Sequence, residues 1–310
     1  YHIAGVANLL SNLFAWRRIF YLDRFDPEVW LHTVRDEAVT QAMVIPTMLA
    51  RVVTHLDGVG DAGAPSLRSL SYGGARMPVP VLRRAVELFP DTGFVNAYGL
   101  TETSSTVALL GPDDHRIALA SDDQDVRARL GSVGRLLPGV ELEVRDENGS
   151  PVPVGETGLL FFRGEQIAGE YAGEHAGVGV VDEDGWFSSR DRGRIDGEGY
   201  LFIEGRADDT IIRGGENIAP AEIEDVLLAC EGIVDAAVVG LADDEWGQRL
   251  VAVVVQEGPA TVSAEELQRV VRDRLRSSKT PESIEFWPEL PRTDTGKLLR
   301  RQIVARLAAG

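Results

Sequence analysis

The chain has 310 residues, 44% hydrophobic and 26% charged, with one cysteine and a net charge of −18 at pH 7. That balance fits a soluble globular protein of roughly two domains. It excludes an internal disulfide, makes disorder not the default and, with no run of about 18 apolar residues, indicates no membrane-spanning helix. The acidic field disfavours nonspecific nucleic-acid binding, so any anionic ligand needs local donors and a few placed cations. Tyr1 opens the sequence without Met or a signal-peptide pattern, which reads as a cut through a longer gene product. The lone Cys230 lies in an apolar stripe and is expected to pack; one cysteine also fits a reducing, cytoplasmic setting.

In chain order, residues 1–130 read as an α/β part of a larger domain. Strands are expected at 39–44, 67–72 and 93–97, with helices at 47–53, capped by Thr47, and at 80–88. This rhythm predicts a parallel-sheet α/β subdomain. Residues 131–205 read as a small β subdomain. There Val140, Leu142 and Val144 alternate with Glu141, Glu143 and Arg145, and further strands are expected at 158–163 and 200–204. Residues 206–310 read as a separate, mobile α+β C-terminal domain. It has a helix at 220–229 entered by Pro220, strands at 234–240 and 250–256, and a capping box of Ser263 and Glu266. A last helix carries Leu299, Ile303 and Leu307.

Three segments carry candidate chemistry. The first is Asn96-Ala97-Tyr98-Gly99-Leu100-Thr101-Glu102, directly after a strand. Gly99 lets a ligand approach the backbone, Thr101 offers a hydroxyl to phosphate, Tyr98 a flat face to a base, and Glu102 a hard carboxylate to Mg²⁺. The second runs from Gly205-Arg206-Ala207-Asp208-Asp209 to Gly214-Gly215-Glu216-Asn217-Ile218; Arg206 is a planar donor suited to phosphate or ribose. The third is Leu290 to Lys297, placing the Lys297 cation on a glycine loop at the start of the final helix. Asp191 suits ribose hydroxyls, and Gly73-Gly74-Ala75 suits an adenine shelf. Taken singly, each has a plainer reading: a capped turn, a hairpin linker, a solvent-facing lysine, a surface carboxylate, and for His2 simple packing.

Together, in order and spacing, these segments resemble the acyl- and aryl-CoA synthetases of the adenylate-forming superfamily, which also holds peptide-synthetase adenylation domains and firefly-type luciferases. The resemblance runs from Tyr1 to about Arg306. It implies ATP, Mg²⁺ and coenzyme A as ligands of a ligase that turns a carboxylic acid into an acyl-adenylate and then a thioester. It implies that Gly74 and Ala75 border the adenine, that Tyr98 stacks on it, that Thr101 binds the α-phosphate, and that Glu102 holds Mg²⁺. Asp191 matches the ribose-binding aspartate, Arg206 the arginine of Gly-Arg-x-Asp, Asp208 the hinge, and Gly214 and Gly215 the loop beside the pantetheine tunnel. Lys297 matches the adenylation lysine, while His2 and Ser104 match positions bordering the acyl pocket. Two departures stand out. Ser189-Arg190-Asp191 replaces the family's Thr-Gly-Asp, and the Ser/Thr/Gly-rich phosphate loop, expected upstream of Tyr1, is absent. A fatty or an aryl acid fits, with a weak lean to a fatty acid. The alternatives are an adenylation domain that loads a carrier protein, against which no carrier-like segment follows, and a truncated, inactive nucleotide-binding fragment.

Overall fold

The protein is described by a computed structural model over residues 3–61, 63–170, 180–256, 262–293 and 296–309. The first elements are α1 (Ile3–Phe14), α2 (Pro27–Asp36), β1 (Gln41–Val44), α3 (Pro46–Val59), β2 (Ser69–Gly73), α4 (Val79–Leu88) and β3 (Gly93–Tyr98). They are followed by β4 (Ala108–Leu110), α5 (Pro112–Ala120), α6 (Gln124–Ala128) and β5 (Arg135–Leu136). The strands form one sheet in the order β1-β2-β3-β4-β5. β1, β2 and β3 are parallel, as the strand–helix alternation predicts, but β4 and β5 are antiparallel. For β4 the reason is connection length: only residues 99–107 join it to β3, and a parallel return needs a crossover of about a dozen residues or more.

Helix α3 corrects the expected cap. It begins at Pro46, with Ile45 as a cap lacking any side-chain hydrogen bond, so Thr47 lies inside the first turn and caps nothing. Pro46 serves because its missing N–H would have had no partner there. The core under this sheet joins Leu49, Val52 and Leu56 of α3 to Leu82 and Ala85 of α4, Leu70 and Tyr72 of β2, and Phe94 of β3. One polar pair is buried in it. The Nδ1 of His115 lies 2.7 Å from the Gly111 carbonyl and must donate to it, leaving Nε2 to accept from the Tyr72 hydroxyl at 2.8 Å. Burial pushes the His115 pKa down, which keeps the ring neutral.

The next strands are β6 (Glu141–Arg145), β7 (Gly158–Arg163), β8 (Phe187–Ile195) and β9 (Leu201–Arg206), in a sheet of that order. Val144, Leu160, Phe162 and Leu201 face one core with Val107, Ala108 and Val140. The chain divides into two compact units, one of Tyr1–Ser189 with Gly193–Ile203 and one of Arg190–Arg192 with Glu204–Gly310.

In the second unit, β10 (Ile211–Arg213) and β11 (Glu216–Ile218) form a hairpin, followed by α7 (Pro220–Leu228), β12 (Ile233–Asp243), β13 (Gly247–Gln256), α8 (Ala264–Arg274), β14 (Ser283–Phe286) and α9 (Arg300–Ala309). The sheet β12-β13-β14 is buried on both faces. Ala236, Val238, Leu250, Ala252 and Val254 meet Ile223 and Leu227 of α7 and Leu267 and Val271 of α8. The alternate residues Ala237, Val239, Val251 and Val253 meet Trp287, Leu290 and Ile303 of α9. Period-two alternation thus produces the near-continuous apolar runs of a two-sided strand. The Ser263–Glu266 capping box opens α8. The final helix starts at Arg300, so Leu299 precedes it and only Ile303 of the expected stripe is fully buried. Among the described residues, no helix is long and apolar enough to cross a membrane.

Candidate active site

In the first unit, the candidate residues sit at the carboxyl ends of neighbouring parallel strands. Gly73 closes β2 and pairs with Ala97 near the end of β3, so the Gly73-Gly74-Ala75 turn and the 96–102 loop emerge side by side. Open α/β sheets bind ligands at this end. β3 is anchored by Asn96, whose Nδ2 donates to the Ser132 carbonyl at 3.2 Å. The half-buried Tyr98 ring lies 6.2 Å from that of Phe162. Thr101 is exposed and Glu102 half-buried on a tight 3-10 turn of Thr101–Thr103.

The turn is held from within. Thr103 is fully buried, and its hydroxyl both accepts from the Leu100 N–H at 2.9 Å and donates to the Leu100 carbonyl at 3.1 Å. Gln166 Nε2 donates to the Thr103 and Thr106 carbonyls at 3.2 and 2.6 Å, and the Ser104 hydroxyl donates to the Gln166 carbonyl at 2.8 Å. Ser104 and Ser105 both adopt left-handed backbone, φ 52° and 92°, a conformation side chains rarely tolerate outside functional turns. This fold-back changes the role of Gly99. The sequence suggested room for a ligand, but a Cβ there would overlap the Ser105 carbonyl, so glycine is required by the loop itself.

In the second unit, buried Asp191 accepts from Arg206 Nε at 3.0 Å, which joins two of the expected nucleotide-binding residues. Asp208 follows, exposed, in the middle of the turn Ala207–Asp209. Gly214 and Gly215 form the two-residue turn between β10 and β11, both at positive φ, 56° and 82°. That combination is the type I′ hairpin turn, which glycine favours. Lys297 is exposed and lies ahead of the final helix, not on it; its N–H donates to Thr293 Oγ1 at 3.0 Å. His2 lies outside the described residues.

Comparison with known sequences matches residues 1–172 to the family described as AMP-binding enzyme and residues 222–297 to the AMP-binding enzyme C-terminal domain. The chain belongs to the AMP-binding enzymes, the adenylate-forming superfamily. It is 34% identical over 309 residues to feruloyl-CoA synthase from an Amycolatopsis species, covering 99% of this chain and 60% of that protein. Two solved structures are similar at TM-scores of 0.81 and 30% identity. One is the o-succinylbenzoate CoA synthetase of Bacillus subtilis in complex with its acyl-adenylate intermediate, covering 97% of this chain and 58% of that one. The other is the amide bond synthetase of Marinactinospora thermotolerans, covering 92% and 56%. The chain thus spans about 60% of the length of the curated relatives it matches.

For an AMP-binding enzyme, the departure at Arg190 has a clear geometric content. Arg190 sits at φ 58°, the left-handed region where the family's glycine is at ease. The chain keeps the glycine conformation, and Asp191 stays buried, at the cost of a strained arginine. Its guanidinium lies 3.9 Å from Asp208, but both side chains are at least 70% exposed, 73% and 70%, and such pairs contribute little. Left-handed backbone costs about 1–2 kcal/mol for a residue with a side chain. Glycine gives back about 0.4–1 kcal/mol through the unfolded chain. Arg190→Gly should therefore raise stability by up to about 1.6 kcal/mol in urea unfolding. A loss of that size instead would mean that the arginine makes a contact worth more than the strain.

Proposed function

We propose that the protein activates a carboxylic acid with ATP, forming an acyl-adenylate, and passes the acyl group to coenzyme A with release of AMP and pyrophosphate. The observation that carries this reading is that the Gly73–Ala75 turn and the Tyr98–Glu102 loop leave the paired carboxyl ends of adjacent strands; within the second unit the Asp191–Arg206 pair supports it. In this reading Gly74, Ala75 and Tyr98 bracket the adenine, and Asp191 takes the ribose hydroxyls. Thr101 and Arg206 bind phosphate, Gly214 and Gly215 border the pantetheine arm, and Ser104, with His2, lies beside the acid. The chain is read as three parts, 1–130, 131–205 and 206–310, working in the cytoplasm.

The donors fit Mg²⁺. That ion takes one or two carboxylates and completes its shell with phosphate oxygens and water. Glu102 supplies one such carboxylate on a turn that Thr103 and Gln166 hold fixed. When bound, the ion would neutralise phosphate charge.

The first step is in-line attack of the carboxylate on the α-phosphorus, with pyrophosphate leaving. Both partners are anionic, so Lys297 supplies the compact cation that the transition state needs. In the second step a thiol attacks the acyl carbonyl and AMP leaves. The hinge at Asp208 lets the lysine depart and the Gly214–Gly215 turn serve this step, since one or two residues can absorb a large dihedral change. Ferulate and o-succinylbenzoate, named for two of the relatives, are aromatic acids and support an aryl acid over a fatty acid.

The test is acid-dependent ATP–pyrophosphate exchange by the full-length protein against a panel of aryl and fatty acids. Coenzyme A, a holo-carrier protein and a simple amine are then offered as acceptors. Exchange with an aryl acid and thioester release with coenzyme A are expected. Exchange with no acid, or acyl transfer only to the carrier or the amine, would replace this reading.

A further inference from the structure

We propose that Asp235 and Arg292 are a positioning pair that fixes the backbone carrying Lys297 for adenylate formation. This rests on the role given to Lys297 above.

The geometry around Lys297 is specific. Arg292 Nη2 donates to both oxygens of Asp235 at 2.8 and 2.9 Å, and its Nε adds a third contact at 3.3 Å. The other arm of the same guanidinium, Nη1, donates to the Gly296 carbonyl at 2.8 Å, on the peptide bond that leads into Lys297. The fork therefore clips the lysine's own backbone to β12. Around it, the Thr293 N–H donates to the Lys297 carbonyl at 2.9 Å, and the Gly296 N–H donates to the Thr293 carbonyl at 2.8 Å. Arg292 and Leu298 form an antiparallel bridge, and the Leu299 N–H donates to the Pro291 carbonyl at 2.9 Å.

The carboxylate end is equally constrained. Asp235 sits beside an irregularity in β12, where the register with β13 shifts between Ile233 and Asp235. Its Oδ1 also accepts from the Ala236 N–H at 3.0 Å. The Arg292 and Asp235 side chains are only 24% and 25% exposed, so water competes weakly for the pair. Only a planar guanidinium can grip a carboxylate with one edge and a carbonyl with another; an ammonium cannot reproduce both at once. The lysine's reach must be accurate, because a misplacement of about 1 Å can cost about 10²-fold in rate. Leu290 and Leu298 tie the two ends of this loop to the core, and the pair adds a polar clip at the Gly296 carbonyl between them.

The experiment compares Arg292→Met, Arg292→Lys, Asp235→Asn and Lys297→Ala in the full-length protein. Single-turnover adenylate formation, thioester formation from supplied acyl-adenylate, and amide hydrogen exchange at Gly296 and Lys297 are measured. Arg292→Met and Asp235→Asn should each slow adenylate formation by about 30- to 100-fold, mainly in kcat. Both should spare thioester formation and speed exchange at Gly296 and Lys297, and the double variant should be little worse than either single. Arg292→Lys keeps the charge without the fork and should fall between them and the unaltered protein, a readout that survives if Arg292→Met fails to fold. Equal slowing of both half-reactions, unchanged exchange at Gly296 and Lys297, or fully additive singles would overturn the pair. If Lys297→Ala itself leaves adenylate formation intact, the functional reading falls and takes this proposal with it. If Lys297→Ala abolishes adenylate formation while Arg292→Met does not touch it, the pair alone is wrong.

Discussion

Lys297→Ala in the full-length protein is expected to slow acyl-adenylate formation by about 10²–10³-fold while leaving thioester formation from supplied acyl-adenylate largely intact. The first step brings a carboxylate to a triphosphate inside a chain of net charge −18, so the barrier is dominated by like-charge approach. A single placed ammonium is worth about 2.7–4 kcal/mol of transition-state stabilisation in such a site. The second step joins a thiol to a neutral carbonyl and expels AMP, where that cation has much less to do. Rapid-quench measurement of each half-reaction separates the two. Equal losses in both would mean that the lysine holds the fold or the nucleotide and does not serve the first chemical step.

Arg300→Met is expected to cost about 3–5 kcal/mol of stability, the usual result of stranding a buried partner. Arg300 and Glu224 are 18% and 12% exposed and meet through two contacts, at 2.6 and 3.0 Å. Arg300 Nε also reaches Asp209 at 3.5 Å, in the turn that contains Asp208. The pair does a second job at β12. Glu224 Oε1 accepts from the Val238 N–H at 2.7 Å, and Arg300 Nη1 donates to the Val238 carbonyl at 2.7 Å. Val238 lies on the outer strand of its sheet, so these side chains take the place of a neighbouring strand. The double variant Arg300→Met, Glu224→Leu should recover the charge penalty yet keep a deficit of about 1–3 kcal/mol for each of the two stranded backbone groups. Guanidinium unfolding of the single and double variants reads both numbers. Complete recovery in the double variant would show that Val238 does not depend on the pair.

The sequence made legible what is local. β7 runs over Gly158–Arg163, the span expected of it, and α8 opens on the expected capping box. In the long hairpin of the second unit, polarity is why pattern and structure part. The strands expected at 234–240 and 250–256 extend into one long hairpin of Ile233–Asp243 and Gly247–Gln256, because the residues near its tip are exposed and carry no apolar period. Helix α5, Pro112–Ala120, opens on Asp113-Asp114-His115-Arg116, so its first half shows no apolar period. The candidate site divides in the same way. Tyr98, Glu102, Asp191, Arg206 and Lys297 announce themselves by residue type and spacing. The groups that hold them do not, because their partners are remote in the chain. Gln166 reaches Thr106 across 60 residues, Arg292 reaches Asp235 across 57, and Arg300 reaches Glu224 across 76. No one-dimensional pattern links such pairs.

The occupation of Val238 by two side chains bears on how the second unit behaves in company. An open strand edge is a template on which another chain can add its own strand, and long apolar edges of this kind seed aggregation. At Val238 both main-chain groups are already taken. A foreign strand would have to evict an arginine and a carboxylate before it could pair there. The same contacts that set the unit's stability therefore also shield this apolar strand against self-association once the unit is folded.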